Sequence, residues 1–154
     1  MNTHLGVNPA LYVLLGCPGS GKGTFAQAIQ SEGYVHISTG DIAREEVRNE
    51  TAFGLEYKEA ILNHVKGRIP FEKIQELVEQ RLEKAISEQK GVILDGYPKT
   101  IDQCELLDTL ITEKGLNERV VIVFIDVKED DAIDRILCRQ TCEKCNKIYK
   151  NSGL

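Results

Sequence analysis

The sequence predicts an α/β fold with a mostly parallel sheet, and two observations predict it. Short β-branched runs alternate with longer helix-patterned segments, and a glycine-studded turn carrying a lysine follows the first apolar run directly. The chain has 154 residues, 42% of them hydrophobic and 28% charged, which is material for one globular domain with a core and no bias toward disorder.

In chain order, strands are predicted near residues 10–15, 34–37, 91–95 and 120–126. The first helix starts inside the glycine turn and runs to about Glu32. Others are predicted over Gly40 to Asn49, Phe53 to Val65, Phe71 to Gln89, Ile101 to Thr112 and Asp130 to Gln140. The helix from Phe71 places Ile74, Leu77, Val78, Leu82 and Ile86 on one face. Roughly 50 residues separate the second and third strands, more than one crossover requires, so an insertion is expected there.

The formal net charge of −5 argues against a general polyanion-binding surface, and no nucleic-acid partner is expected. The longest apolar runs, "ALYVLL" and "VVIVFI", are six residues each, against the roughly 20 needed to span a bilayer. The N-terminal "MNTHLGVNPA" lacks the pattern of a signal peptide. A cytoplasmic protein, away from membranes, is expected. Its five cysteines then read as thiols or metal ligands rather than disulfides.

The turn is "GCPGSGKGT", Gly16 to Thr24. Between a strand and a helix, successive backbone N–H groups and the helix N-terminus converge on one point and favour an anion. Glycines let the main chain approach phosphate oxygens, and Lys22 supplies a positive charge. The Gly-four residues-Gly-Lys core is present, but Gly23 stands where such loops usually carry Ser or Thr, and Thr24 comes one place late.

"GxPGxGKGT" resembles the phosphate loop of the adenylate kinase family, in which the glycine after the lysine is ordinary. Further segments resemble the family in order: "STGD" at Ser38 to Asp41 followed by Arg44, "KGRIP" at Lys66 to Pro70, "LDGYPKTIDQ" at Leu94 to Gln103, and "DRILCR" at Asp134 to Arg139. The resemblance implies a P-loop NTPase fold over residues 1–154, with a helical monophosphate-binding insertion at about 38–70 and the start of a lid at about 138–154.

By the same resemblance, Gly19, Ser20, Gly21, Lys22, Gly23, Thr24, Arg135 and Arg139 bind ATP, with Arg135 on the adenine side and Arg139 on the phosphates. Both arginines are expected on one face of one helix. Thr39, Arg44, Arg68, Ile69, Pro70, Gly96, Tyr97, Pro98, Lys99 and Gln103 bind AMP. Asp95, ending an apolar strand beside the loop, holds Mg²⁺ directly or through water, or else caps a turn. Lys22, Asp95 and Arg139 carry the chemistry. Lys99 departs from the arginine of the family's "DGFPR", keeping charge but losing a planar bidentate grip.

Cys142 and Cys145 resemble half of a zinc site, and no later Cys, His or Asp follows them. Cys138 fits the family spacing poorly as a third ligand, while Cys17 and Cys104 read as packing residues. The resemblance further implies a strand, helices and two arginines beyond the lid that these 154 residues do not contain. The expectation is a truncated product or fragment. It is an ATP:AMP phosphotransferase or, alternatively, a nucleotide-binding fragment that turns over poorly or not at all. A metabolite kinase of another kind has no reason for a second base-reading set such as Thr39 and Gln103. A monomer is expected, with AMP against other monophosphates left open.

Overall fold

A computed structural model describes residues 10–62, 69–141 and 148–150. Strand β1 (Leu11–Leu15) leads through the glycine loop into α1 (Lys22–Gln30) and β2 (Val35–Ser38). Four helices follow: α2 (Thr39–Arg48), α3 (Ala52–Glu56), α4 (Lys58–Leu62) and α5 (Phe71–Ser87). Then come β3 (Val92–Asp95), α6 (Ile101–Glu113), β4 (Val120–Phe124), α7 (Glu129–Leu137) and the short strands β5 (Arg139–Thr141) and β6 (Ile148–Lys150).

The first four strands form a parallel sheet in the order β2-β3-β1-β4. Asp95 is in register with Leu14 of β1 on one side and with Ser38 of β2 on the other. The chain therefore leaves three neighbouring strands at one sheet edge, where ligands of open α/β sheets bind.

A parallel sheet is covered on both faces, and alternate side chains divide accordingly. Leu11, Val13, Ile37, Val92 and Leu94 pack with Val78, Leu82 and Ala85 of α5 and Leu107 and Ile111 of α6. Leu14 and Ile93 turn the other way, onto Ala26 with Phe25 and Ile29 of α1. Among the described residues β4 is an edge strand, and its Ile122 and Phe124 are 66% and 68% exposed.

The helix expected from Phe53 to Val65 is instead two, parted at Tyr57, where φ is −106°. Residues 63–68 lie outside the described set. The turn of the chain between α3 and α4 lets Gly54, Ala60 and Ile61 all be buried. A second correction concerns the last helix, which ends at Leu137 rather than near Gln140. The Cys138 N–H closes it by donating to Asp134 and Ile136 carbonyls, and Arg139 then pairs with Lys150 in an antiparallel ladder. Arg135 and Arg139 consequently do not share a helix face. Cys17 and Cys104 are exposed, so they are not packing residues: one stands in the glycine loop and the other on an outward position of α6.

Candidate functional site

The glycine loop takes the shape an anion cradle needs. Gly16, Gly19 and Gly21 have φ of +146°, +81° and +102°, values that side chains rarely tolerate. Gly23 differs, since it lies in the first turn of α1 and a Cβ there would meet nothing within 4 Å. The missing hydroxyl is thus not dictated by packing. Ser20 is buried, Thr24 is exposed, and α1 opens with no side-chain cap among the described residues, which leaves its first N–H groups to a ligand. Lys22 folds back on the loop: its Nζ donates to Gly16 O (3.0 Å), Cys17 O (2.9 Å) and Ser20 Oγ (3.4 Å).

"STGD" works as a unit. Ser38 caps α2 by accepting from the Asp41 N–H, and Asp41, in the first turn, accepts from Arg44 Nη2 at 2.5 Å. Gly40 makes room for that arginine, because a Cβ at Gly40 would lie 3.2 Å from Arg44 Nη1. Thr39 Oγ1 donates to Gly96 O at 3.3 Å and accepts from Lys99 Nζ at 3.5 Å. Gly96 has φ +79°, and a Cβ there would come within 2.7 Å of Thr39 Oγ1.

Between these segments lies a cavity of about 390 Å³. Thr39, Arg44, Ile69, Gly96, Lys99 and Gln103 line it together with Gly40, Ala43, Ala60, Ile61 and Ile74. Cations and a hydroxyl thus share one cavity with aliphatic side chains, a lining suited to a ligand with an anionic group and an apolar body. Gln103 is 7% exposed, and its Oε1 accepts from the Lys99 N–H at 2.5 Å. That leaves its amide Nε2 as the donor for a ligand. Thr100 caps α6 by accepting from the Gln103 N–H, which fixes where this side chain starts.

Of the remaining expected contacts, Tyr97 is turned into the core and is 2% exposed, so its side chain does not line the cavity. Its peptide bond to Pro98 is cis. Pro70 is the N-cap residue of α5 and is exposed. Arg139, on β5, is exposed. Arg68, Cys142 and Cys145 lie outside the described residues. Cys138 is partly buried at the end of α7, and no group of three or more potential metal ligands occurs among the described residues.

Asp95 is the last residue of β3, and its Oδ2 lies 3.5 Å from His36 Nε2, a buried nitrogen without a hydrogen-bond partner among the described residues. One carboxylate at the strand end fits magnesium carried by a nucleotide, which takes one or two carboxylates and fills the rest of its shell with phosphate oxygens and water.

An adenylate kinase family profile matches residues 14–151. The chain belongs to the adenylate kinase family. It is 43% identical to the adenylate kinase of Thermotoga neapolitana over 148 residues, covering 94% of this chain and 65% of that protein. Against the adenylate kinase of Enterococcus faecalis it is 42% identical over 140 residues, covering 89% and 62%. Against that of Chlamydia pneumoniae it is 35% identical over 145 residues, covering 93% and 65%. The chain thus spans just under two thirds of the length of these relatives.

Within this adenylate kinase family site, sequence reasoning missed Ala43, Ala60, Ile61 and Ile74 in the cavity and His36 beside Asp95. The aliphatic residues carry no signal that separates a cavity wall from a core. His36 lies two residues before Ser38 on β2, and its inward direction follows from the strand's pairing with β3, which no local motif announces.

Proposed function

We propose that this chain binds ATP with magnesium on the glycine loop and AMP in the cavity, and passes the γ-phosphoryl group directly between them to give two ADP. The observation that carries this reading is the position of Asp95, in register with β1 and its loop on one side and with β2 and its cavity on the other. Donor and acceptor phosphates would then meet beside one carboxylate, as in-line transfer requires.

Magnesium, when bound with ATP, neutralises phosphate charge. The chain's own residues position the substrates. Lys22 exchanges its loop carbonyls for phosphate oxygens, and the loop N–H groups hold the same phosphates. Arg44 turns from Asp41 to the AMP phosphate, and Lys99 adds a second positive charge there. Gln103 Nε2 donates to a ring nitrogen of the base, which favours adenine. No general base is needed, since the acceptor is an ionised phosphate.

Two measurements on a homogeneous sample of verified mass test the reading. Calorimetric titration should show ATP·Mg binding that Lys22→Ala weakens by roughly tenfold or more, given ~1.5–3 kcal/mol for hydrogen bonds to charged groups, and equal affinity in the variant removes the loop assignment. A coupled assay should show ADP forming from ATP plus AMP. Binding of both nucleotides with no ADP formed would instead favour the nucleotide-binding reading.

A further inference from the structure

Arg135 lies beside the glycine loop. Its Nη1 donates to Gly19 O at 3.3 Å and to Ser20 O at 3.4 Å, across 116 and 115 positions of sequence. The helix that carries it touches the loop directly: a Cβ on Gly19 would lie 2.5 Å from Ala132 O and 3.1 Å from Ile136 Cγ1. The loop is therefore seated on α7 with no space between them.

Two peptide units matter. The unit between Gly19 and Ser20 is held at both ends, since the Ser20 N–H donates to Cys17 O at 3.1 Å while Gly19 O accepts from Arg135. The unit between Ser20 and Gly21 has Arg135 on its carbonyl. In a planar trans peptide the N–H points opposite to the C=O, so a cation on Ser20 O turns the Gly21 N–H away from α7. Gly19 and Gly21 flank this stretch at φ +81° and +102°, and glycine itself prefers no single conformation strongly. An outside hold is what fixes the unit.

We propose that Arg135 is a positioning residue for the phosphate loop, setting the direction of the Gly21 N–H before any nucleotide arrives. This rests on the reading of the loop as the ATP phosphate site, and it concerns the shape of the loop itself, apart from any contact the same arginine makes to a base. Lys22 holds the carbonyls of Gly16 and Cys17, at the start of the loop, and Arg135 those of Gly19 and Ser20, nearer its end. The two cations together fix the loop from both ends.

Arg135→Met keeps the aliphatic stem and removes the donors. Its binding of ATP·Mg and of inorganic tripolyphosphate·Mg, which has no base, is measured by calorimetry beside that of the native chain. Hydrogen exchange of the ligand-free proteins is followed at residues 16–25. The expected result is a loss of ~fivefold to tenfold for both ligands alike, the size of one ordinary hydrogen-bond contribution, with faster loop exchange and unchanged protection in β1 and β3. Loss of ATP affinity with tripolyphosphate unaffected would assign the side chain to the base and overturn the proposal. So would loop exchange equal to native. Should Arg135→Met lose protection in β3, Arg135→Lys takes its place, and full phosphate affinity with fast loop exchange in that variant would overturn the positioning role, since affinity would then not depend on a fixed loop. A native chain that binds neither ligand overturns the phosphate-loop reading itself, and is told apart because the failure is then in the native protein.

Discussion

Lys99 Nζ stands 3.5 Å from Thr39 Oγ1, joining the segment after β3 to the first residue of α2. The lysine is exposed, and its backbone N–H is fixed by Gln103. A point charge held at its base but free at its tip contributes one contact to a phosphate, whereas guanidinium offers two parallel ones. Lys99→Arg should therefore tighten AMP binding by about 1 kcal/mol, roughly fivefold, with ATP binding unchanged. Calorimetric titration with each nucleotide decides it, and weaker AMP binding would mean that the cavity is built around lysine.

Helix α3 lies against α2 through a position that accepts no side chain. A Cβ on Gly54 would lie 2.0 Å from Glu46 O and 2.6 Å from Val47 N, both backbone atoms that cannot swing aside. The same corner is tied by Thr51 Oγ1, which donates to Glu46 Oε2, and by Arg81 of α5, which bridges Glu45 and Glu46. Gly54→Ala should destabilise the fold by about 1–3 kcal/mol, the usual range for overpacking, and should weaken AMP binding because α2 carries Thr39 and Arg44. Urea unfolding gives the first quantity. A variant as stable as the native chain would show that α3 can move away freely.

Much of this was readable before folding, because the signals are local. The apolar runs of β1 and β3 are bounded by turn residues, and "STGD" joins a helix cap to its acidic first turn. The cavity's polar members, Thr39, Arg44, Lys99 and Gln103, were legible through the resemblance of their segments to the adenylate kinase family. Its wall was not: Ala43, Ala60, Ile61 and Ile74 look like any helix residues that face a core. The ladder that takes Arg139 away from α7 depends on pairing with Lys150, eleven residues later and on a strand of three residues. No periodicity can declare itself over so short a run.

Burial pushes the Tyr97 hydroxyl from its ordinary value near 10 up to about 12, with the Glu79 charge and Cys104 adding to the effect. The sign follows directly. Below pH 10 the phenol is protonated in both states, and between 10 and 12 the unfolded chain ionises first and is favoured. Stability contributed by the neutral phenol is whole below pH 10 and is lost as pH rises through the folded value. The loss should reach about 2–3 kcal/mol, from 1.36 kcal/mol per pH unit of separation. Tyr97→Phe, which keeps the ring in the core, should flatten stability between pH 10 and 12. Denaturant unfolding across that range checks it, and an unaltered alkaline slope in the variant would place the effect on other groups.

Among the described residues no strand pairs with the outer side of β4, on which Ile122 and Phe124 stand two residues apart, both more than half exposed. Ile133, Ile136 and Leu137 of α7 are exposed as well. An open edge offers unpaired N–H and C=O groups in a row, and apolar side chains beside it remove the cost of docking another strand there. The expected monomer is therefore opposed by this edge as concentration rises. Lysine is the residue that blunts such edges, since burying its charge against a second strand is unfavourable. Phe124→Lys should keep the chain monomeric at protein concentrations where the native sequence associates. Because that side chain is already 68% exposed, the thermal midpoint should move little. Light scattering across a concentration series measures the first, and thermal unfolding the second. Equal association by both proteins would clear the β4 edge and place the contact elsewhere on the surface.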